Sequence, residues 1–307
     1  MGNGEWGMEK TYLFNRVNKL MTKRHQRKWH FHTPEFWLFN RIRSHPKPNR
    51  TMPEPLTPAE LRHHCRQGKW DAPTPGLAPG YVQANLVILP QSDAFDFLRF
   101  CQFNPKPCPV LDVTDPGDPE PRRVASGADL RTDLPRYRIF RHGEPIEEVS
   151  EITSFWRENM VAFLLGCSFT FEAAMVRSGL PVRHIEEGKN VPMYVSDRPC
   201  TPAGAFSGPL VVSMRPMCPQ DAIQAVRVTG EYPHAHGAPV HLGDPAAIGI
   251  SRLDRPDFGD PVTVHPGEMP VFWACGVTPQ MAIARAQPEL AITHAPGHMF
   301  VTDLPER

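Results

Sequence analysis

The sequence predicts an α/β protein: a mixed or largely parallel sheet with flanking helices, arranged in two lobes. Three observations predict it. From residue 209 onward strand, loop and helix alternate three times. Earlier, "YVQANLVILP" (81–90) runs into the amphipathic segment "SDAFDFLRFCQFN" (92–104). Finally, 36 prolines are spread between apolar segments, which points to many rigid turns.

Each element has a local reason. "LTPAELRHHCRQG" (56–68) predicts a short helix, capped by Thr57, with Pro58 in its first turn and Gly68 at its end. Residues 81–90 are apolar and closed by Pro90, as in a strand; 92–104 carries one apolar stripe behind a Ser92 cap, and Pro105 stops it. "CPVLDV" (108–113) predicts a strand, 115–136 a long polar loop, and "YRIFRHGEPIEEV" a hairpin around His142-Gly143. Residues 152–179 are the strongest helical region, interrupted at "GCSFT", which creates a new helix start near Ser168 or Thr170. In the carboxyl part, "PLVVSMR", "PVHL" and "VFWACG" are strands; "PQDAIQAVRVTG", "DPAAIGI" and "TPQMAIARA" are the helices or helix starts that follow. "LAITHA" and "MFVTDL" are further strands. No sequence repeat of fixed period accompanies the alternation. Asp244-Pro245 and Thr278-Pro279 each have the form of a cap followed by a first-turn proline.

Charge divides the chain. Residues 1–50 hold 11 Lys or Arg against 3 Asp or Glu, whereas the whole chain balances 33 against 33. Residues 1–51 are expected to be a basic, weakly ordered extension, and 52–307 the catalytic region. The extension's Arg-rich composition fits a mitochondrial presequence, but the expected compartment is the cytoplasm, with the mitochondrial matrix as alternative. No apolar run is long enough to span a bilayer. No nucleic-acid reader motif and no phosphate- or dinucleotide-binding glycine motif is present, so neither nucleic acid nor membrane is an expected partner. Seven scattered cysteines without a C-x-x-C fit a reducing compartment.

Loops after strands of an α/β sheet are where ligands bind. They offer Arg215 to clamp a carboxylate, His241 as a general base, Cys275, and His294 and His298; an acid to partner His241 would come from Asp244 or Glu268. Cys167 and Ser168 mark the fresh helix start, whose N–H groups suit an oxyanion. Arg183 and Tyr194 lie in the polar stretch "RHIEEGKNVPMY", which reads as a substrate loop; His294 and His298 complete the substrate-binding set. The competing readings are bland: Asp244 as a helix cap, His241 and Cys167 as core residues, Arg215 in an ion pair. No cofactor is expected. A divalent metal on His234, His236, His241, His294 and His298 is the alternative, weakened because "HAPGH" cannot hold both rings on one helix face. The expected partner is a small-molecule carboxylate, and the chain is compatible with a homo-oligomer.

Long ordered motifs carry a resemblance: "GLAPGYVQANLVILP", "FLLGCSFTFEAA", "VRHIEEGKNVPMY", "GPLVVSMRP", "GAPVHLGDPAAIGI", "GEMPVFWACGVTPQ" and "ITHAPGHMFVTDL". Over residues 55–305 the chain resembles the hydro-lyase family that includes D-glutamate cyclase, in its bacterial-type form. The resemblance implies a two-lobed α/β architecture and a carbon–oxygen lyase that cyclises D-glutamate to 5-oxo-D-proline with loss of water. It brings no catalytic residues with it. A dehydratase of another small hydroxy or amino acid, or a non-catalytic carboxylate-binding module, are the alternatives.

Overall fold

A computed structural model describes residues 56–306. The expectations for residues 1–51 lie outside that span. Helix α1 (Pro58–Arg66) opens on a reciprocal cap, in which the Thr57 side chain accepts from the Glu60 N–H and Glu60 accepts from the Thr57 N–H. Strand β1 (Tyr81–Pro90) runs into α2 (Gln91–Phe103). That helix begins one residue before Ser92, on Pro90 and without a side-chain cap. Strands β2 (Val110–Val113), β3 (Tyr137–Arg141) and β4 (Glu144–Val149) follow. The β3–β4 turn at His142-Gly143 has φ +49° and +82°, the left-handed pair that a two-residue hairpin requires.

The expected long helix at 152–179 is corrected. Its first part is strand β5 (Met160–Gly166), buried at every residue; only Phe169–Arg177 is helical (α3), starting at Ser168 as the interruption predicted. A short apolar run buried on both faces has no period that separates strand from helix. The chain continues through a single turn α4 (Arg183–Glu186), β6 (Met193–Pro199), β7 (Pro209–Met217) and α5 (Pro219–Gly230). Then come β8 (His241–Leu242), β9 (Met269–Ala274), α6 (Val277–Ala286), β10 (Ala291–His294) and β11 (Phe300–Pro305). Asp244 caps only a 3-10 turn (Pro245–Ile248). Thr278 lies inside α6 and caps nothing.

Helices and strands alternate as expected, but the strand direction differs: every strand pairing among the described residues is antiparallel. The first sheet has the order β2-β5-β1-β10-β3-β4, with β11 also against β1; the second has the order β6-β7-β9-β8. Alternate residues of β1 feed two cores, Ala84, Leu86 and Ile88 on one face and Val87 and Leu89 on the other. No described helix is long and apolar enough to cross a membrane.

A repeated unit, invisible to a fixed-period search, organises the two sheets. Strand β1 with α2 matches β7 with α5 at a spacing of 128 residues; β5 with α3 matches β9 with α6 at a spacing of 108 (83 to 211, 167 to 275). Both strand pairs share one register: Ala84 faces Gly166 and Asn85 faces Leu165, as Val212 faces Ala274 and Ser213 faces Trp273. Thr170 Oγ1 accepts the Gln83 N–H at 3.4 Å, and Thr278 Oγ1 accepts the equivalent Val211 N–H at 3.0 Å. Each unit's second helix packs on the other unit. Phe171, Ala174 and Met175 of α3 join Ala222 and Ala225 of α5, while Ala282 and Ile283 of α6 join Phe97 and Phe100 of α2. Such reciprocal packing is what an approximate two-fold axis produces.

Candidate active site

The starts of α3 and α6 lie where the two units exchange helices. Each follows a buried strand through a cysteine: Gly166-Cys167-Ser168 before α3, and Ala274-Cys275-Gly276 before α6. Gly166 is required by space, since a Cβ there would stand 1.6 Å from the His234 carbonyl oxygen. A Cβ on Gly276 would stand 2.5 Å from Asn85 Nδ2. The buried amide of Asn85 therefore packs directly on the start of α6, and it donates to the Gly166 carbonyl at 2.8 Å.

Arg215, from the middle of β7, is fully buried beside α3. Its guanidinium pairs with Glu172 of α3, donates to Ser213 Oγ at 3.1 Å and meets Ser168 Oγ at 3.4 Å. It lies over the rings of Phe171 and Trp273, at 5.3 and 5.2 Å from their centroids. Its Nε has no partner. The Glu172 carboxylate also faces His184 Nε2 at 3.4 Å, and His184 Nδ1 is buried without a partner. Burial alone would raise the Glu172 pKa. The Arg215 charge and the His184 and Arg215 hydrogen bonds outweigh it and hold the carboxyl at about 2, ionised at neutral pH.

Both cysteines lie within electrostatic range of this cluster. Burial pushes the Cys167 thiol up to about 12 and the Cys275 thiol up to about 11, with the nearby Glu172 charge adding to both. Opposing this, the Phe169 N–H is directed at Cys167 and the Val277 and Gly276 N–H groups at Cys275, and Arg215 acts on both. The two thiols therefore stand at equivalent helix starts and feel the same ion pair. The Cys275 thiol also rests 3.4 Å from Met193 Sδ.

Of the residues expected from sequence, Arg215, Cys167 and Ser168 come together. His241 does not join them. It pairs across β8–β9 with Phe272 and lies 5.7 Å from that ring, whereas Arg215 pairs with Val271. Successive residues of β9 point to opposite faces, so His241 and Arg215 occupy opposite sides of the sheet. His241 Nε2 instead closes the following turn on the Asp244 carbonyl oxygen at 2.7 Å, and the Asp244 carboxylate accepts the Ala246 N–H at 3.0 Å. Glu268 and Arg183 bind each other at 2.6 Å; Arg183 also holds Glu186 and the Thr263 carbonyl. Despite burial, the Arg183 hydrogen bond and the His265 N–H keep Glu268 below the usual carboxylate range, which opposes a proton-donor role. Tyr194 donates to the Leu253 carbonyl at 2.7 Å on the Phe272 face, and burial pushes its pKa up. His294 accepts the Leu86 N–H at 3.1 Å inside the first sheet, with burial holding it at about 4. His298 Nδ1 binds the Pro296 carbonyl at 2.8 Å. Among the described residues no group of three or more His, Cys, Asp or Glu side chains is placed to hold a metal ion.

Sequence reasoning missed Glu172, Ser213 and Asn85, and placed His184 only within a substrate loop. The available signal was the likeness of "GCSFTFEAAM" to "ACGVTPQMAI", with a charged Glu172 amid apolar neighbours.

Comparison with known proteins bears on the same residues. The D-glutamate cyclase family matches residues 161–303, which include both cysteines, Glu172, His184 and Arg215. A protein of Stutzerimonas stutzeri named "Putative hydro-lyase" is 62% identical over 83% of this chain and 97% of its own length. Similarly named proteins of Geobacillus kaustophilus (83% of this chain, 97% of the relative) and a Thermoanaerobacter species (84% and 97%) are each 59% identical. With identity this high along nearly the whole of each relative, the chain belongs to the hydro-lyase family of D-glutamate cyclase.

Proposed function

We propose that this lyase acts on a small amino-dicarboxylate and cyclises D-glutamate to 5-oxo-D-proline and water at the Glu172–Arg215–His184 cluster. The observation that carries the reading is Arg215: a fully buried guanidinium whose Nε is unpartnered, beside a helix start and a histidine with a free ring nitrogen. Buried donors of this kind suit a substrate carboxylate.

The reaction needs a neutral amine and a departing oxygen that gains two protons. His184 suits both tasks. With its Nε2–H assigned toward Glu172, Nδ1 is left as the acceptor, and Glu172 stabilises the imidazolium that forms. The two protons given up by the ammonium reach the departing oxygen, which leaves as water. Ser168, whose hydroxyl lies 3.4 Å from the Arg215 guanidinium, would steady the negative oxygen of the tetrahedral intermediate. Ring closure is intramolecular, so holding the chain curled supplies much of the acceleration without ATP.

The test is incubation of the purified protein with D-glutamate and L-glutamate, with product followed by chiral chromatography. The reading requires 5-oxo-D-proline from D-glutamate. Tight carboxylate binding without turnover would identify a binding module instead.

A further inference from the structure

His184 stands on α4 (Arg183–Glu186), a helical turn of 4 residues between irregular stretches. One turn is too short to hold its own shape. The chain that leads into β9 supplies the support. It runs antiparallel to the α4 region and is bonded to it at three steps. Asp260 Oδ2 accepts the Asn190 N–H at 3.0 Å, Glu187 Oε1 accepts the Thr263 N–H at 3.0 Å, and Arg183 donates to Glu268 Oε1 at 2.6 Å. The last step is the sheltered one, with side chains only 9% and 13% exposed.

Every nitrogen of the Arg183 guanidinium is engaged within the protein. Nε donates to Glu186 at 3.0 Å, Nη1 to the Thr263 carbonyl at 2.9 Å and to Glu268 Oε2 at 3.4 Å, and Nη2 to Glu268 Oε1. Both Glu268 oxygens are taken as well, since Oε2 also accepts the His265 N–H at 2.7 Å. Arg215 differs, with its Nε unpartnered. Glu268 directly precedes β9, whose Val271 pairs with Arg215 and whose Trp273 ring lies 5.2 Å from that guanidinium. The Arg183–Glu268 pair thus joins the turn that carries His184 to the strand beside Arg215. Successive helical residues do not share a face, so Arg183 grips this segment while His184 faces Glu172.

We propose that Arg183 and Glu268 are positioning residues for His184: their forked ion pair fixes the α4 turn against β9 and so aims the imidazole at Glu172. Neither side chain touches substrate. The proposal rests on His184 as the base of the proposed reaction.

The experiment uses the full chain with Glu268→Ala, Arg183→Met and Arg183→Lys. Steady-state kinetics on D-glutamate should show kcat lowered by about 100-fold in the first two, the cost of a misplacement of about 1 Å, with KM little changed. Arg183→Lys keeps the charge and one donor for Glu268, and should restore part of kcat. A raised KM at unchanged kcat would make Arg183 a substrate contact and overturn the proposal. In protein labelled with 15N-histidine, the His184 ring signals, assigned by their loss in His184→Gln, should report one tautomer with the proton on Nε2. In Glu268→Ala and Arg183→Met they should report a mixture. Unchanged His184 signals in both variants overturn the proposal and leave the lyase reading standing. An unaltered protein that does not cyclise D-glutamate removes the lyase reading alone, because the ring signals still decide whether the pair orients His184. Hydrogen exchange of the unaltered protein needs no variant to fold: residues 183–190 and 257–268 should exchange together, and exchange of 257–268 far ahead of 183–190 would also overturn the proposal.

Discussion

Glu172 and Arg215 form an ion pair inside the protein, between a helix of one repeated unit and a strand of the other. The pair thus ties the two sheets together as well as furnishing the candidate site. Removing one partner leaves the other charge buried. Glu172→Gln and Arg215→Met should each cost about 3–5 kcal/mol, as for other broken buried pairs, read as a shift of the urea unfolding midpoint. A midpoint unchanged in both would mean that the pair contributes nothing to joining the sheets.

Acid should unfold the protein in two stages. His236 and His294 are both held at about 4 by burial, against about 6.5 in an unfolded chain. The unfolded chain binds these protons first, so their contribution is lost as pH falls from about 6.5 to 4. Glu172 is held at about 2, against about 4.3 unfolded, so its contribution is complete above about pH 5 and is lost toward pH 2. Urea unfolding at pH 7, 5 and 3 should show both losses, and Glu172→Gln should abolish the lower one while sparing the upper.

The two candidate bases separate cleanly by mutation. His184 faces Glu172, whereas His241 lies across the sheet on Phe272. His184→Gln should lower kcat by about 100-fold or more, with a smaller effect on KM. His241→Asn should keep turnover within a few-fold of the unaltered protein. Steady-state kinetics on D-glutamate decide, and the opposite ranking would return the base to His241.

The duplication makes a paired prediction. Thr170 and Thr278 each accept a strand N–H at equivalent positions. Replacing either by Val strands a buried donor and should cost about 1–3 kcal/mol. The cost should be larger at Thr278, whose bond to Val211 is 3.0 Å against 3.4 Å for Thr170 to Gln83. Chemical unfolding of the two variants gives the comparison.

Much of the architecture was legible in the sequence. Pro58 and Pro219 mark helix starts, the β3–β4 hairpin follows from His142-Gly143, and the run from Pro209 to Ala286 alternates as expected. Two things were hidden for physical reasons. β5 is apolar at every position because both its faces are buried, so it carries no alternation to distinguish it from the helix that follows. Pairing direction depends on long-range register, which local pattern does not contain. In the site, Arg215 could be found because it ends an apolar run, and Cys167 and Ser168 because they interrupt one. His241 misled by the rule that selected Arg215: it gives the end of a strand but not the face, and one residue of register on β9 separates Phe272 from Val271. Glu172 escaped because its charge is satisfied by a residue 43 positions away.

The most direct test of the account is turnover of D-glutamate by the purified protein and by its Arg215→Lys and His184→Gln variants, followed by chiral chromatography. The account predicts 5-oxo-D-proline from the unaltered protein, a raised KM for Arg215→Lys and a lowered kcat for His184→Gln. Full turnover in both variants, with the product unchanged, would contradict it.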